Sequence, residues 1–426
     1  MKKVLQIIIF AFSFVLVCSG TGFSMSDAEL IKKFAEMEKL IQKQQMQIEK
    51  QNEVIKQLQD KTVADPVVIQ PASEVVTPAS REQIKSIVAE LVSEETMLVP
   101  EWLKDIKFGG DLRLRYETIY NRTDKPDRHR GRFRLRLNFA KKLCDELDVV
   151  IRLASGDSNS ATSTNQTFDD SFSEKDIWID RAYALYRPNW FKGLELAGGK
   201  LQNPFVHTDI IWDSDVNPEG VYEKYVFNIT DSFKPFITLS QFFIEEENNN
   251  SNDASLFGYQ AGYTWDISKS QWVLAATLYD FSNLETVDWD DDYGNSGEGG
   301  FKVLNVTSFW KTKLCGIPVK LYGDYAKNTD SEDNDYAYAL GFSIGKIKKK
   351  GDWAFGYKYA RIEPDAVVGI FADSNFGGAN RRGNKFSLKY KFHPKMEFAA
   401  TSWITDSVSG PEEKWTDVAL DLIFKF

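Results

Sequence analysis

From Ile106 to the last residue the chain keeps a two-residue period, and that period limits its fold more than any other feature. Leu112, Leu114 and Tyr116 alternate with Asp111, Arg113, Arg115 and Glu117. Phe133, Leu135, Leu137 and Phe139 alternate with Arg132, Arg134, Arg136 and Asn138. Leu147, Val149, Ile151 and Leu153 alternate with Asp148, Val150, Arg152 and Ala154. Neighbouring strand residues point to opposite faces, so each run has one apolar and one polar side. Dyads of about ten residues mark strands with lipid on one face and water on the other. In a soluble sandwich the polar face would look outward instead.

The same pattern recurs near residues 177–187, 194–200, 220–228, 233–244, 254–265, 271–281, 302–312, 317–327, 335–346, 352–362, 384–392, 396–405 and 415–426, which makes sixteen strands. Connections alternate between short (Lys141–Glu146, Leu314–Gly316, His393–Lys395) and long and polar (Ser155–Asp176, Leu201–Glu219, Glu363–Gly383). Short turns on one rim and long loops on the other predict an antiparallel outer-membrane β-barrel over residues 100–426. An aromatic share of 14% suits interfacial girdles.

The segments before the barrel differ in kind. Lys2 and Lys3, the apolar run Val4–Val17 and small residues at Ser19–Gly20 read as a signal peptide over 1–24, cleaved after Gly20 or Ser24. Val17 before Cys18 is a poor fit to a lipoprotein signal. Over 25–61, Phe34, Ile41, Ile48 and Ile55 share one core position of a heptad repeat. Leu30, Met37, Gln44, Gln51 and Leu58 share the other. That spacing predicts an α-helical coiled coil whose two polar layers fix its register, which suits an oligomer, and a homotrimer is the expectation adopted. Residues 62–79 read as an extended linker. A short helix over 80–99 opens on the capping pair Ser80 and Gln83.

Charge and composition exclude several functions. Removing Lys2 and Lys3 takes the net charge from −10 to −12, which disfavours nucleic acid as a partner. Three scattered histidines (His129, His207, His393) and the lack of a Gly-x-Ser-x-Gly elbow leave no hydrolase and imply no metal or cofactor. Asp290–Asp292 and Asp330, Glu332, Asp333 and Asp335 lack the spacing of a calcium loop and read as solvated loops. Cys144 and Cys315 sit in distant turns and are expected to stay free.

One connection breaks the polar rule. Leu201–Glu219 is rich in Asn, Asp and Pro, yet carries Phe205, Val206, Ile210, Ile211 and Trp212, which require burial. It is expected to fold into the lumen. Its acids Asp209, Asp213, Asp215 and Glu219 would then face Arg113, Arg115, Arg132, Arg134, Arg136 and Arg152 on the inner side of the first three strands. Crowded guanidiniums need counter-charges or water, and such a pairing would set a transverse field across the lumen.

Two segments carry a resemblance. Pro100–Glu117, with Gly109-Gly110-Asp111-Leu112-Arg113-Leu114-Arg115-Tyr116, resembles the entry to the first strand of the bacterial Putative porin family. Trp212-Asp213-Ser214-Asp215-Val216-Asn217-Pro218-Glu219-Gly220 resembles a characteristic loop of the same family. The terminal strand ending on Phe426 resembles the assembly signal of outer-membrane proteins. The resemblance implies a channel for small hydrophilic solutes and ions in a membrane of lipid and lipopolysaccharide, with 201–219 as its inward loop. Arginines in excess of loop acids then predict weak anion selectivity. The coiled coil over 25–61 resembles the periplasmic stalks of some outer-membrane porins, and a separate reading makes it a tether from the outer membrane to peptidoglycan.

Overall fold

A strand that enters hydrocarbon must pair both of its edges, and this sheet does so by closing on itself. The computed structural model describes residues 105–426 except 121–125, 158–159, 247–251, 288–292 and 297–298. The expected signal peptide, coiled coil, linker and helix lie outside the described residues, as do Glu247, Asp288 and Asp290–Asp292. The coiled coil that carried the homotrimer expectation is among them.

The strands are β1 (Lys107–Tyr120), β2 (Arg128–Cys144), β3 (Leu147–Ser155), β4 (Gln166–Thr167), β5 (Ile177–Tyr186), β6 (Leu194–Lys200), β7 (Glu219–Val226), β8 (Phe233–Glu245) and β9 (Ala254–Ile267). They continue as β10 (Ser270–Ser282), β11 (Lys302–Leu314), β12 (Ile317–Asn328), β13 (Tyr336–Gly345), β14 (Trp353–Ile362), β15 (Arg381–His393), β16 (Met396–Ser407) and β17 (Trp415–Lys425). β4 is a two-residue strand on β2, inside the connection from β3 to β5, and the other sixteen form the wall. Each wall strand pairs antiparallel with the next, and β1 pairs with β17 from Asp111↔Lys425 to Tyr120↔Thr416. The ring is closed, as the alternation predicts.

The outer face is apolar. Leu304, Val306, Leu321, Leu340, Leu388, Ile404 and Leu420 are all exposed on it. Trp265, Trp272 and Trp310 lie in register across β9, β10 and β11 near the short turns, as an interfacial girdle requires. Cys144 and Cys315 are free and exposed at that rim.

The inner face is of two kinds. On β12, β13 and β14 it is lined by Ala326, Ala337, Ala339 and Ala360, all fully buried. Ala326 lies opposite Ala337, and Ala339 opposite Ala360. Small side chains there leave room that the long connections fill. On β1, β2, β3 and β5 it is crowded with guanidiniums and carboxylates.

Closure places the C-terminus tightly. Phe426 N–H donates to Gly110 O at 3.1 Å and Gly110 N–H to Phe426 O at 3.0 Å. A Cβ on Gly110 would meet Arg136 O at 2.3 Å and the Phe426 ring at 2.7 Å. Gly110→Leu is therefore expected to impair ring closure. Unheated gels, which separate closed barrels from open chains, should show less of the folded form than wild type. An unchanged folded fraction would contradict this account of the seam.

Candidate functional site in the lumen

The connection from β6 to β7, residues 201–218, turns inward because its apolar side chains find apolar partners on the inner face of β8, β9 and β10. Leu201, Phe205, Ile210, Ile211, Trp212 and Val216 are buried. Phe205 packs edge-on against Phe242 of β8 at 6.2 Å and Tyr279 of β10 at 5.3 Å between ring centroids. A Cβ on Gly258 of β9 would strike the Phe205 ring at 2.3 Å, so glycine is what admits that ring. Fully burying each large apolar side chain contributes about 1.5–3 kcal/mol.

Polar groups then fix the loop's path across the lumen. Gln260 of β9 accepts from Val206 N–H and donates back to Val206 O, both at 2.9 Å. Thr208 donates to Asp324 of β12 through its backbone N–H at 3.2 Å and its hydroxyl at 2.5 Å. Lys358 of β14 and Lys385 of β15 each donate to Asp209 at 2.7 Å. The loop thus reaches from β6 and β7 to the far wall.

A second connection meets it there. Residues 363–380, between β14 and β15, were expected to be an outer polar loop. Instead Ala366, Val367, Val368, Ala372, Phe376 and Ala379 are buried in the same apolar cluster. Trp212 stacks on Phe371 at 5.1 Å. Asp213 N–H donates to Phe371 O at 2.6 Å, and Asp373 N–H to Asp209 O at 2.9 Å. Lys385 bridges the loops by donating to Asp373 at 2.6 Å as well as to Asp209, and Trp403 Nε1–H donates to Asp373 at 3.1 Å. On the other side Asn375 donates to Asp417 of β17 at 2.8 Å and Glu117 of β1 at 3.3 Å. Among the described residues, this second loop enters the lumen as well as the first. The run Ala366-Val367-Val368-Gly369-Ile370-Phe371 was the available signal, the same kind that marked the first loop.

The expected arginines all line the inner face, but their partners differ from expectation. Asp111 accepts from Arg134 at 2.7 Å and Arg136 at 2.8 Å. Asp421 takes Arg115 bidentately at 2.7 and 2.9 Å, with Arg113 at 3.9 Å. Glu117, fully buried, pairs with Arg130 and with Arg115 and Arg132, each at 3.5 Å. Asp180 pairs with Arg152. A bulge opposite Arg152 and Leu153 turns both Asp180 and Arg181 inward, and Arg181 donates to Asn217 of the loop at 2.7 Å. Most counter-charge therefore comes from the barrel strands themselves, at adjacent or cross-strand positions.

Of the four loop acids, Asp215 alone forms an ion pair with an arginine, Arg136, at 3.5 Å. Asp209 serves the two lysines. Asp213 accepts from Asp215 N–H at 2.9 Å. Glu219 corrects the expectation: it opens β7 on the face it shares with the exposed Val221 and pairs with Lys200 at 2.5 Å, outside the lumen. Strand alternation from the buried Tyr222 puts it there.

The two central acids titrate in opposite directions. Burial alone would raise Asp209, but Lys358 and Lys385 outweigh it and hold the carboxyl well below its usual range. Burial, then Asp373 and Asp215, push Asp213 well above that range, only partly offset by its backbone bond and Lys385. A raised carboxyl binds its proton more tightly in the docked loop, so docking strengthens as pH falls through that raised value. Asp209 opposes this only at much lower pH. Unit conductance is expected to drop on acidification from neutral pH, and Asp213→Asn should flatten the response. An identical pH profile in the variant would contradict the assignment. Separately, Asp209→Asn leaves Lys358 buried without its closest partner and should loosen docking by about 3 kcal/mol. Hydrogen exchange at Trp212 N–H should quicken accordingly, and unchanged protection would count against the clamp.

Comparison with known proteins identifies the family and the fold. The model of the family described as "Putative porin" matches residues 15–125, 118–303 and 299–426. No curated protein matches the chain in sequence. Among solved structures, the high-pH structure of Pseudomonas putida OprB is 12% identical with a TM-score of 0.51, over 81% of this chain and 97% of that one. A complex of Salmonella typhi OmpF with daunomycin is 10% identical with a TM-score of 0.48, over 75% of this chain and 97% of that one. A mutant Rh. blastica porin is 11% identical with a TM-score of 0.47, over 75% of this chain and 100% of that one. The likeness to OprB shows the fold. With the family model matched along nearly its whole length and its strands closed into a barrel, the chain belongs to the Putative porin family and is an outer-membrane porin.

Proposed function

We propose that small hydrophilic solutes and ions diffuse passively past the two docked loops, with a weak preference for anions. The observation that carries this reading is the course of residues 201–218, which cross from β6 to β12, β14 and β15 and leave the arginine wall opposite them. In this reading Arg113, Arg115, Arg132, Arg134, Arg136 and Arg152 form one side of the passage, and Asp209, Asp213 and Asp215 the other. Guanidiniums on β1, β2, β3 and β5 (these six with Arg130 and Arg181) outnumber the carboxylates packed among them, Asp111, Glu117, Asp180, Asp215, Asp417 and Asp421. A surplus of fixed positive charge in a narrow, poorly screened passage favours anions.

The tether reading gains no support from the comparisons, and the stalk it needs lies outside the described residues.

Planar-bilayer recording tests the proposal. Purified protein should give discrete steps whose reversal potential in a salt gradient points to anions. Deleting Phe205–Asn217 should enlarge the steps, because the second loop also loses its packing surface. Replacing Arg132 and Arg136 together by Gln should move the reversal potential toward cations. Silent wild-type protein, or cation selectivity unchanged by the double substitution, would defeat this reading.

A further inference from the structure

Among the described residues, Lys320 on the inner face of β12 has no carboxylate bonded to it. Lys320 of β12 lies directly across from Lys311 of β11, so two ammonium groups face each other on neighbouring strands. Like charges placed opposite destabilise a strand pair. Lys311 finds a neutral partner, donating to Gln271 at 3.0 Å. Lys320 sits over the rings of Phe309 at 5.0 Å and Tyr322 at 5.1 Å, and forms no ion pair among the described residues. Asp209, an acid in the same cavity lining, already has one oxygen on Lys358 and the other on Lys385.

This lysine lines a cavity of about 280 Å³ beneath the first loop, together with Phe309, Tyr322, Ser387 and the Asp209 carboxylate with its two lysines, Lys358 and Lys385. Ring faces, hydroxyls and a spare ammonium group share one space. A divalent cation would be repelled by Lys320, Lys358 and Lys385. A neutral sugar would leave the Lys320 charge unanswered. A carboxylate joined to a small apolar body answers both, the charge on Lys320 and the body on the rings.

We propose that this cavity is a binding site for small monoanionic organic acids, held by Lys320. The proposal rests on the channel reading only for the route by which the acid arrives. In a passive pore such a site raises the local concentration of its solute and slows its exit.

The test is calorimetric titration of sodium benzoate into the full-length protein in detergent at fixed ionic strength, with benzyl alcohol as the neutral probe. Wild type should bind benzoate saturably and benzyl alcohol far more weakly. Lys320→Met, and independently Lys320→Gln, should weaken benzoate by about tenfold or more, while Lys320→Arg should retain it. Gel mobility before heating confirms that each variant is folded. Absence of benzoate binding to wild type, equal binding by both neutral variants, or equal binding of the alcohol would overturn the site. Conductance of the same preparations reports on the channel separately. A silent protein that binds benzoate keeps the site and loses the channel; a conducting protein that does not bind loses the site alone.

Discussion

In hydrocarbon an unpaired backbone N–H or C=O costs several kcal/mol, and everything else in this molecule follows from meeting that constraint. The sheet has no free edge because β17 returns to β1, and the last residue is tied into the seam through Gly110. A ring of sixteen long strands encloses more space than wall side chains can fill. The chain fills it with its own connections. They dock where the wall leaves room, at Gly258 of β9 and along the Ala-lined inner surface of β12, β13 and β14.

Charge decides what happens on the opposite wall. Arginines there could not sit side by side in a narrow lumen without partners, and the strands supply them in the same dyads that carry the arginines. Asp111 and Glu117 share the inner face of β1 with Arg113 and Arg115, and Asp421 arrives from β17 in register with Arg115. Removing one member of such a set leaves an unpaired charge near the membrane interior, so the wall behaves as a unit rather than as separate bridges. The connections touch this unit at several points, through Asp215 on Arg136, Asn217 on Arg181 and Asp180, Asn165 on Arg113 and Arg132, and Asn375 on Glu117 and Asp417. Their firm anchor is elsewhere, where Lys358 and Lys385 hold Asp209.

Much of this was legible in the sequence, for physical reasons. A two-residue period is a direct consequence of strand geometry, so the wall strands and their alternating connections could be counted before any coordinates. The inward course of 201–218 followed from Phe205, Ile211 and Trp212, which no solvated loop would carry. The same argument applies to Val367, Val368 and Phe371, but Glu363–Gly383 was read only as one of the long polar connections, and the second loop was missed. Counter-charges were assigned to the wrong element because alternation gives the face of a residue but not its register. Only the pairing of β1 with β2 and β17 reveals that Asp111 and Asp421 sit among the arginines. Glu219 illustrates the limit at one residue: read as the last residue of the loop, it is the first of β7, where alternation turns it to the outer face.

The account depends most on the first loop crossing the lumen to β12. With Cys144 and Cys315 replaced by Ser, cysteines at Thr208 and Asp324 should join, because those side chains now meet at 2.5 Å. Oxidative cross-linking of Thr208→Cys/Asp324→Cys in intact outer membranes tests that crossing directly. The account predicts a loop-to-wall disulfide in nearly all of the folded protein. Free thiols at both positions, open to a water-soluble alkylating reagent, would show that the loop does not reach the far wall.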